Sequence, residues 1–386
     1  MITVAKVMPT LGLGASVTIK ALLSSWSPVH SIGQVKCIVM KNKEIFDGNG
    51  YEISLPSFST WEGFVTIAGS GEEAPTSLED APIIRNVHMV GGQTSTAGGF
   101  IVRSYQTNFI VESCSSTGVI DGRSGKFGIT GGGGICGHGC SGEIRITNCW
   151  SSGEILGGNA GGIIGKDAGI NGGHVEILHC HSTGDISGDN AGGIIGSFAG
   201  YSDGQISIIH SYSEGAISGS QSGGICGRWG AFDAGYVSIR ECYSLGDISG
   251  TESGGIAGRA AGENGAMLIQ DSFTLGNIIN SNHAGGITGY NTGFRGGRVT
   301  ITNVYASGTV RTNAGGIIGH IATAPGTLVS VAMSVYNGEG GRPMVGGGGA
   351  AIVNEKKKNQ FGGIRSYKRH SLLSPYWLRL HRVLGY

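Results

Sequence analysis

Proline, charge and long apolar runs are all scarce in this sequence. It has 8 Pro in 386 residues, and charged residues make up only 13%, with a formal net charge of zero. No apolar run approaches the roughly 18 residues that a membrane-spanning helix needs, so no transmembrane helix is expected. With so little proline and no Gly-x-y period, a collagen triple helix is excluded as well.

Metal-binding and export signals are missing too. No C-x-x-C pair occurs, and Cys136 and Cys140 enclose His138 without a second Cys/His pair at zinc-finger spacing. We therefore predict no metal site and no cofactor. Residues 1–23 lack a continuous apolar segment followed by a clear small-residue cleavage site, so a secretory signal stays open and the sequence offers no convincing one. The compartment stays open, with a surface, extracellular or virion location favoured.

Glycine, by contrast, is abundant, with 75 residues. Each Gly in a helix interior costs roughly 1 kcal/mol relative to Ala, which argues against a mostly helical protein. Apolar residues make up 39% of the chain, enough for a core. Isoleucine is prominent among them, and β-branched side chains suit a half-buried pleated surface. The composition therefore favours strands.

An internal repeat decides the fold class. The string A/S-G-G-I-x-G recurs at 160–165, 191–196, 222–227, 253–258, 284–289 and 314–319, with spacings of 31, 31, 31, 31 and 30 residues. A second string, C-x-S-x-G-x-I at 149–155, keeps step with it. Helical repeats would need Ala/Leu-rich segments, which are missing, and a propeller blade would need a longer period.

Each repeat carries three short apolar runs separated by turn residues. In one repeat the runs are Val175 with Ile177, then Ile186, then Ile194 with Ile195. The period of two in Val-x-Ile is that of a half-buried strand. Stacking such repeats pairs each strand with its copy, roughly 4.8 Å away. The sequence thus predicts an all-β, right-handed parallel β-helix (solenoid) with coils of about 31 residues.

One glycine column precedes the last isoleucine or valine of the second string. It comprises Gly153, Gly184, Gly215, Gly246, Gly276 and Gly308. We expect it to mark a corner of the coil that requires a positive φ.

Composition divides the chain into three parts. Residues 1–36 are expected to begin an N-terminal cap, residues 37–345 to form the β-helix, and residues 346–386 to form a basic C-terminal tail. From residue 351 onwards the tail has eight Lys or Arg residues and one acid, Glu355. Ser374 and the residues after it predict a short helix that caps the last coil. The alternatives are a disordered appendage, or contact with a membrane surface or nucleic acid.

Two parts of the sequence resemble known β-helix proteins. The stretch Phe46-Asp47-Gly48-Asn49-Gly50, followed by an alternating strand, is similar to the first coil of pectin-lyase-like right-handed β-helices. The repeats resemble the glycine-rich GLUG repeats of adhesin-like surface proteins, and the polymorphic-outer-membrane-protein-like repeat proteins of large DNA viruses. The resemblance covers roughly residues 37–345 and implies a fold rather than an activity.

A solenoid turns one repeat position into a ladder along the rod. The ladder with binding potential is aromatic, and it comprises Trp150, His181, Tyr212, Tyr243, Phe273 and Tyr305. Facing solvent, these rings would form a sugar-binding stripe. Packed on one another, they would instead stabilise the sheet, by up to about 1 kcal/mol for each pair. No other binding residues are predicted.

Four further ladders are expected to be structural. The small hydroxyl ladder, at a tight inward corner, comprises Ser151, Ser182, Ser213, Ser244, Thr274 and Ala306. Buried reduced thiols are expected at Cys114, Cys149, Cys180 and Cys242, with a Cys149–Cys180 disulfide as the alternative. A sparse acidic ladder comprises Glu154, Asp185 and Asp247. A polar corner ladder comprises Asn148, His179, His210, Glu241, Asp271 and Asn303.

The case for an enzyme rests on Gly137-His138-Gly139, which resembles the GHG string of polygalacturonases. The other strings of that family, Asn-Thr-Asp, Asp-Asp and Arg-Ile-Lys, are missing, and glycoside hydrolysis needs two converging carboxylates. The GHG string also aligns with variable residues, namely Lys166, Ser197, Arg228 and Arg259, which we interpret as a loop coincidence. No catalytic residue is predicted.

The sequence therefore predicts a non-catalytic, adhesin-like β-solenoid with a structural or surface-binding role. One form of this prediction places the protein in a virion. The expected partners are glycans or a component of a surface or virion, without specific nucleic-acid binding. The alternative is a polysaccharide-active β-helix enzyme, a lyase, hydrolase or epimerase, with an atypical site in the irregular N-terminal coils.

Overall fold

The computed structural model describes residues 3–6, 38–55, 60–61, 63–67, 75–94, 98–103, 107–121, 131–279, 282–310, 313–337, 345–347 and 352–354. In chain order the strands are β1 (Thr3–Lys6), β2 (Ile38–Met40), β3 (Ile45–Asp47), β4 (Tyr51–Ser54), β5 (Thr60–Trp61), β6 (Val65–Ile67), β7 (Ile83–Arg85), β8 (His88–Val90), β9 (Gln93–Thr94), β10 (Phe109–Glu112), β11 (Ser115–Ser116), β12 (Glu143–Thr147), β13 (Trp150–Ser151), β14 (His174–Leu178), β15 (His181–Ser182), β16 (Gln205–Ile209), β17 (Tyr212–Ser213), β18 (Tyr236–Arg240), β19 (Tyr243–Ser244), β20 (Ala266–Gln270), β21 (Phe273–Thr274), β22 (Arg298–Thr302), β23 (Tyr305–Ala306), β24 (Leu328–Ala332), β25 (Val335–Tyr336) and β26 (Ile352–Asn354). Within these residues the helical structure is one short 3₁₀ turn, Phe294–Gly296.

Two sheets of 11 strands each run the length of the rod. The long sheet contains the five-residue strands, and its order is β3-β7-β10-β12-β14-β16-β18-β20-β22-β24-β26. The short sheet contains the two-residue strands from β11 onwards, and its order is β1-β4-β8-β11-β13-β15-β17-β19-β21-β23-β25. Single-residue bridges such as Ile155–Ile186 and Ile164–Ile195 continue the stacking between the sheets.

Each coil pairs with the next in strict register. In the long sheet Val175 pairs with Ile206, and Ile177 pairs with Ile208. These four side chains are buried to 1% exposure or less, while the side chains between them point outwards. The all-β parallel solenoid, with turns of about 31 residues and about 8 coils, confirms the predicted fold and is consistent with right-handed winding.

The expected role of the glycine column is wrong for five of its six members. Of the six, only Gly308 has a positive φ, at 102°. At the other five, a Cβ atom would collide with the backbone carbonyl of the equivalent glycine one coil earlier, as Gly215 would with Gly184. The reason for glycine here is therefore the close approach of neighbouring coils rather than backbone conformation.

The left-handed corner lies instead at the polar corner ladder. The φ angles there are 54° at Asn148, 53° at His179, 52° at His210, 51° at Glu241, 50° at Asp271 and 51° at Asn303. Asn and Asp tolerate this region better than other non-glycine residues. Neighbouring side chains contact one another along the ladder, since the rings of His179 and His210 stack at 4.9 Å.

The described cysteines are buried, and they form no disulfide with one another. They are Cys114, Cys136, Cys140, Cys149, Cys180, Cys226 and Cys242, and Cys37 lies outside the described residues. In the Cys114 column four side chains, those of Cys149, Ser211, Ser272 and Ser334, accept a backbone N–H from the coil before. Cys149 Sγ accepts from Cys114 N at 3.4 Å, and Ser211 Oγ accepts from Cys180 N at 3.1 Å. This column is therefore defined by hydrogen bonding as well as by size.

The two ends of the sheets are covered differently. Strand β1 pairs antiparallel with β4, with Thr3 opposite Ser54. Strand β26 falls inside the predicted tail but pairs in parallel with β24 of the long sheet. The predicted helix from Ser374 lies outside the described residues, and the three-part division of the chain stays a prediction.

Candidate functional site

The aromatic ladder forms one continuous stack on the short sheet. Ring centroids lie 6.1 Å apart for Trp150 and His181, 4.7 Å for His181 and Tyr212, 4.7 Å for Tyr212 and Tyr243, and 4.8 Å for Tyr243 and Phe273. Interplanar angles are 11° or less in all four pairs. Tyr305 packs against Phe273 at the end of this series. The structure thus brings together all six predicted residues.

The stack leaves ring edges, rather than ring faces, towards solvent. Each inner ring is covered on both faces by its neighbours, and Phe273 is only 1% exposed. Burial lowers the pKa of His181, partly offset by Glu214, so its ring is neutral in this stack at neutral pH. Sugars stack on exposed aromatic faces, so this geometry favours a stabilising role. The ladder as a sugar-binding stripe stays a prediction.

Two carboxylates of the acidic ladder accept hydrogen bonds from the backbone. Asp185 Oδ1 accepts a hydrogen bond from Ala216 N at 2.9 Å, and Asp247 Oδ1 accepts from Asn277 N at 2.7 Å. The carboxylates of Asp185 and Asp247 therefore each accept a hydrogen bond from an N–H of the following coil. This arrangement gives these acids a structural task that explains their spacing.

A second surface, which we call the corner-loop face, is formed by the loops that follow each G-G-I-x-G string. The loops are residues 137–142, 165–173, 196–204, 227–235, 258–265, 289–297 and 319–327. Their backbones stack in register. Phe198 N donates to Arg228 O at 2.9 Å, and Trp229 N donates to Arg259 O at 3.0 Å. The backbone thus repeats from coil to coil while the side chains do not.

Four aromatic side chains from two consecutive loops form a cluster on this face. Ring centroids are 4.5 Å apart for Phe198 and Trp229, 5.3 Å for Tyr201 and Phe232, and 5.8 Å for Phe198 and Phe232. Phe198 and Trp229 both have φ of 58°. The left-handed region costs a side-chain-bearing residue roughly 1–2 kcal/mol, and bulky residues are rare there.

The equivalent positions in other coils show that bulk is not needed for the fold. Asp167, Ala260 and Asn291 occupy the same loop position with φ of 57° each. Asn or Asp would thus meet the backbone requirement with less strain than Trp229 does. Strained residues cluster at functional sites, where the surrounding structure holds them in place.

Two arginines lie beside this cluster on adjacent coils. The guanidinium carbon of Arg228 lies 3.2 Å from the ring centroid of Trp229, and Arg228 Nη1 reaches Asn190 Oδ1 at 3.4 Å. Burial, and next to it the charge of Arg259, lowers the pKa of Arg228 to about 10. Within the described part of the chain, no carboxylate forms an ion pair with Arg228. Its charge is balanced only at a distance, by Glu263 and Glu252.

The second arginine is partly neutralised. Arg259 Nη1 pairs with Glu252 Oε2 at 3.0 Å, and the Arg259 side chain is 26% exposed. Gln221 Nε2 donates to the same carboxylate oxygen at 2.8 Å. Glu252 is thereby held in place, and Arg259 keeps other donor groups of its guanidinium for further contacts.

A buried carboxylate fixes the tryptophan. Glu263 is 4% exposed, accepts a hydrogen bond from Trp229 Nε1 at 2.7 Å, and pairs with Arg295 Nη1 at 3.3 Å. A buried acid with charged and neutral donors is stable only in a defined geometry. The indole is therefore locked in orientation and offers a rigid support to Arg228.

The N-terminal part of the corner-loop face carries a different constellation. Asp167 Oδ2 contacts His138 Nε2 at 2.9 Å and Lys166 Nζ at 2.7 Å. Burial alone would raise the pKa of Asp167, but these two hydrogen bonds hold it below its ordinary value. Lys166 Nζ also lies 5.1 Å from the ring centroid of Phe198. A histidine oriented by a buried carboxylate is the geometry of a general base.

The sequence does not predict this face. His138 aligns with Lys166, Ser197, Arg228 and Arg259, and this variation led us to interpret the GHG string as a loop coincidence. The variation of the side chain at this repeat position was itself a usable signal. Where the fold constrains only the backbone, the side chain can serve a functional role. A bulky aromatic directly after Arg228, where Asp, Ala and Asn stand in other coils, was the second signal.

The described residues contain no group of three or more His, Cys, Asp or Glu placed to hold a metal ion. They also contain no helix that is long and apolar enough to cross a membrane. Comparison with family models, with curated proteins and with solved structures finds no match to this chain.

Proposed function

We propose that the protein is a non-catalytic β-solenoid that acts as a rigid scaffold and binds a surface, in the manner of adhesin-like proteins. The observation that carries the proposal is the corner-loop face, where a repeated backbone presents arginine and aromatic side chains that the repeat does not require. Stacked coils hold such side chains with little loss of conformational entropy on binding.

The resemblance of the repeats to GLUG repeats and to the repeat proteins of large DNA viruses supports the same proposal. Both resemblances concern proteins displayed on surfaces, of a cell or of a virion. The similarity of residues 46–50 to the first coil of pectin-lyase-like β-helices supports a common architecture, without an activity.

Binding to immobilised glycans and to cell surfaces tests this proposal directly. We expect saturable binding by the wild-type protein, with weaker binding when Arg228 is replaced by Ser, the residue at position 197 of the preceding coil. Arg298→Ser is the matched control, because Arg298 is an exposed arginine on the long sheet. If neither surface retains the protein, the surface-binding function is refuted.

A polysaccharide-active enzyme is the second candidate, and the contact of His138 with Asp167 and Lys166 favours it. Here His138 would remove a proton, while Lys166 would stabilise negative charge on a uronate. Incubation with alginate and pectin distinguishes the two functions. Unsaturated or shortened products, lost in His138→Gln, would establish the enzyme and overturn the scaffold.

A further inference from the structure

Arg228 and Arg259 occupy equivalent positions on adjacent coils. The charge of Arg259 is near enough to lower the pKa of Arg228, so the two positive charges repel one another. Arg228 has an indole face and an amide oxygen as its nearest partners, and Arg259 has one carboxylate, Glu252. An anion that contacts both groups would remove the repulsion, and guanidinium groups bind carboxylates in bidentate geometry.

Apolar surface lies directly beside these charges. Phe198, Tyr201 and Phe232 are partly exposed and form one group with Trp229. Aromatic side chains next to a few fixed polar groups are typical of sites for small organic ligands and sugars.

The surroundings set the charge of the ligand. The carboxylates of Glu252, Glu263 and Asp167 lie close to the cations, and Asp203 is exposed on the loop beside Tyr201. A nucleic acid, with a phosphate at every nucleotide, would need several unopposed Lys or Arg residues and would be repelled by these acids. A ligand with isolated negative charges fits better.

We infer that the corner-loop face binds an acidic glycan in which carboxylate-bearing sugars alternate with neutral ones. This inference rests on the proposed surface-binding function. Arg228 and Arg259 contact the carboxylate of one sugar, and the cluster of Phe198, Tyr201 and Phe232 packs against the adjacent neutral sugar. Trp229, fixed by Glu263, orients Arg228 from behind.

The probes are a hyaluronan hexasaccharide, a neutral chitin hexasaccharide and single-stranded DNA of similar length, each titrated calorimetrically into the whole protein. Hyaluronan has one carboxylate for every two sugars. We expect it to bind at least about tenfold more tightly than chitin, since a charge-assisted hydrogen-bonded pair is typically worth that much or more. DNA should bind more weakly than hyaluronan.

The variants separate the site from the general charge of the protein. Arg228→Ser and Arg259→Ser should each weaken hyaluronan binding about tenfold or more, and Arg298→Ser should leave it unchanged. Trp229→Asn removes the support of Arg228 but suits the left-handed backbone, as Asn291 does at φ of 57°. It should fold and weaken binding as Arg228→Ser does. Circular dichroism confirms the fold of each variant.

Equal binding of chitin and hyaluronan, or unchanged hyaluronan binding by both arginine variants, overturns the inference and leaves surface binding intact. Tighter binding of DNA than of hyaluronan overturns it in favour of a nucleic-acid surface. If the wild-type protein binds none of the probes, the inference is refuted on its own. The proposed function fails only if the glycan-array and cell-surface assays are negative as well.

Discussion

Two glycine substitutions separate the two reasons for glycine in this rod. Gly215 has no positive φ, and an ideal Cβ there would lie 2.5 Å from the carbonyl carbon of Gly184 and 2.8 Å from Asp185 N. Gly172 is its counterpart, with φ of +80° and nothing within 4 Å of an added Cβ. Gly215→Ala therefore tests only the close approach of neighbouring coils, and Gly172→Ala tests only the left-handed backbone conformation.

The expected magnitudes differ. Carbon atoms prefer separations of about 3.5–4.0 Å, so Gly215→Ala must push two coils apart. Overpacking costs typically 1–3 kcal/mol, and a backbone carbonyl cannot rotate away as a side chain can, so we expect about 3 kcal/mol. For Gly172→Ala the left-handed conformation costs about 1–2 kcal/mol, from which about 0.4–1 kcal/mol of reduced unfolded-state entropy is subtracted.

Urea unfolding followed by far-ultraviolet circular dichroism measures both variants against the wild type. We compare midpoints and slopes, because a change of slope would indicate a loss of cooperativity along the rod. If Gly172→Ala proves as destabilising as Gly215→Ala, the interlocking of coils does not explain the glycine column.

Three further predictions concern single positions. Ile177→Ala removes a fully buried side chain and should lower the free energy of unfolding by about 2–5 kcal/mol. Leu178→Ala, on the outer side of the same strand, should lower it far less. If urea titrations give similar losses of unfolding free energy for both variants, the assigned faces are wrong. Cys180→Ser should be tolerated better than Cys180→Val in thermal unfolding, since serine keeps a hydrogen-bonding group in this column and valine does not. Because burial lowers the pKa of His181, folding favours its neutral form, and stability is lost as the pH falls below about 6.5 towards the pKa in the folded state. His181→Tyr should reduce this loss of stability, as measured by thermal unfolding at several pH values. An unchanged pH profile would show that His181 does not contribute to the loss.

The sequence could predict the coil because the same sequence pattern repeats in every coil. Val175, Ile177, Ile186 and their copies recur with the same spacing, so the inward positions and the parallel register follow from comparing the chain with itself. The aromatic ladder follows for the same reason, since residues at one repeat position must be neighbours. Which part of each ring meets solvent depends on rotamers, and the repeat does not contain that information.

Self-comparison fails where the coils differ. Trp229 and Glu263 each occur once at their positions, and arginine occurs in only two coils at the position of Arg228, so an alignment of repeats does not single them out. Their contacts join three loops, and they depend on a left-handed conformation at Trp229 that the sequence would assign to Asn or Gly. The glycine column shows the opposite failure. Its recurrence was evident, but recurrence alone cannot distinguish a positive φ from a near contact.

The antiparallel strand β1 bears on how molecules of this protein can join. Parallel coils present evenly spaced, slanted hydrogen-bonding groups, whereas an antiparallel pair alternates close and wide spacings. At the β4 edge of the short sheet, β1 occupies the groups that a coil from a second molecule would need. A head-to-tail fibre that continues this sheet in register is therefore blocked at this edge, and polymerisation would first require β1 to detach.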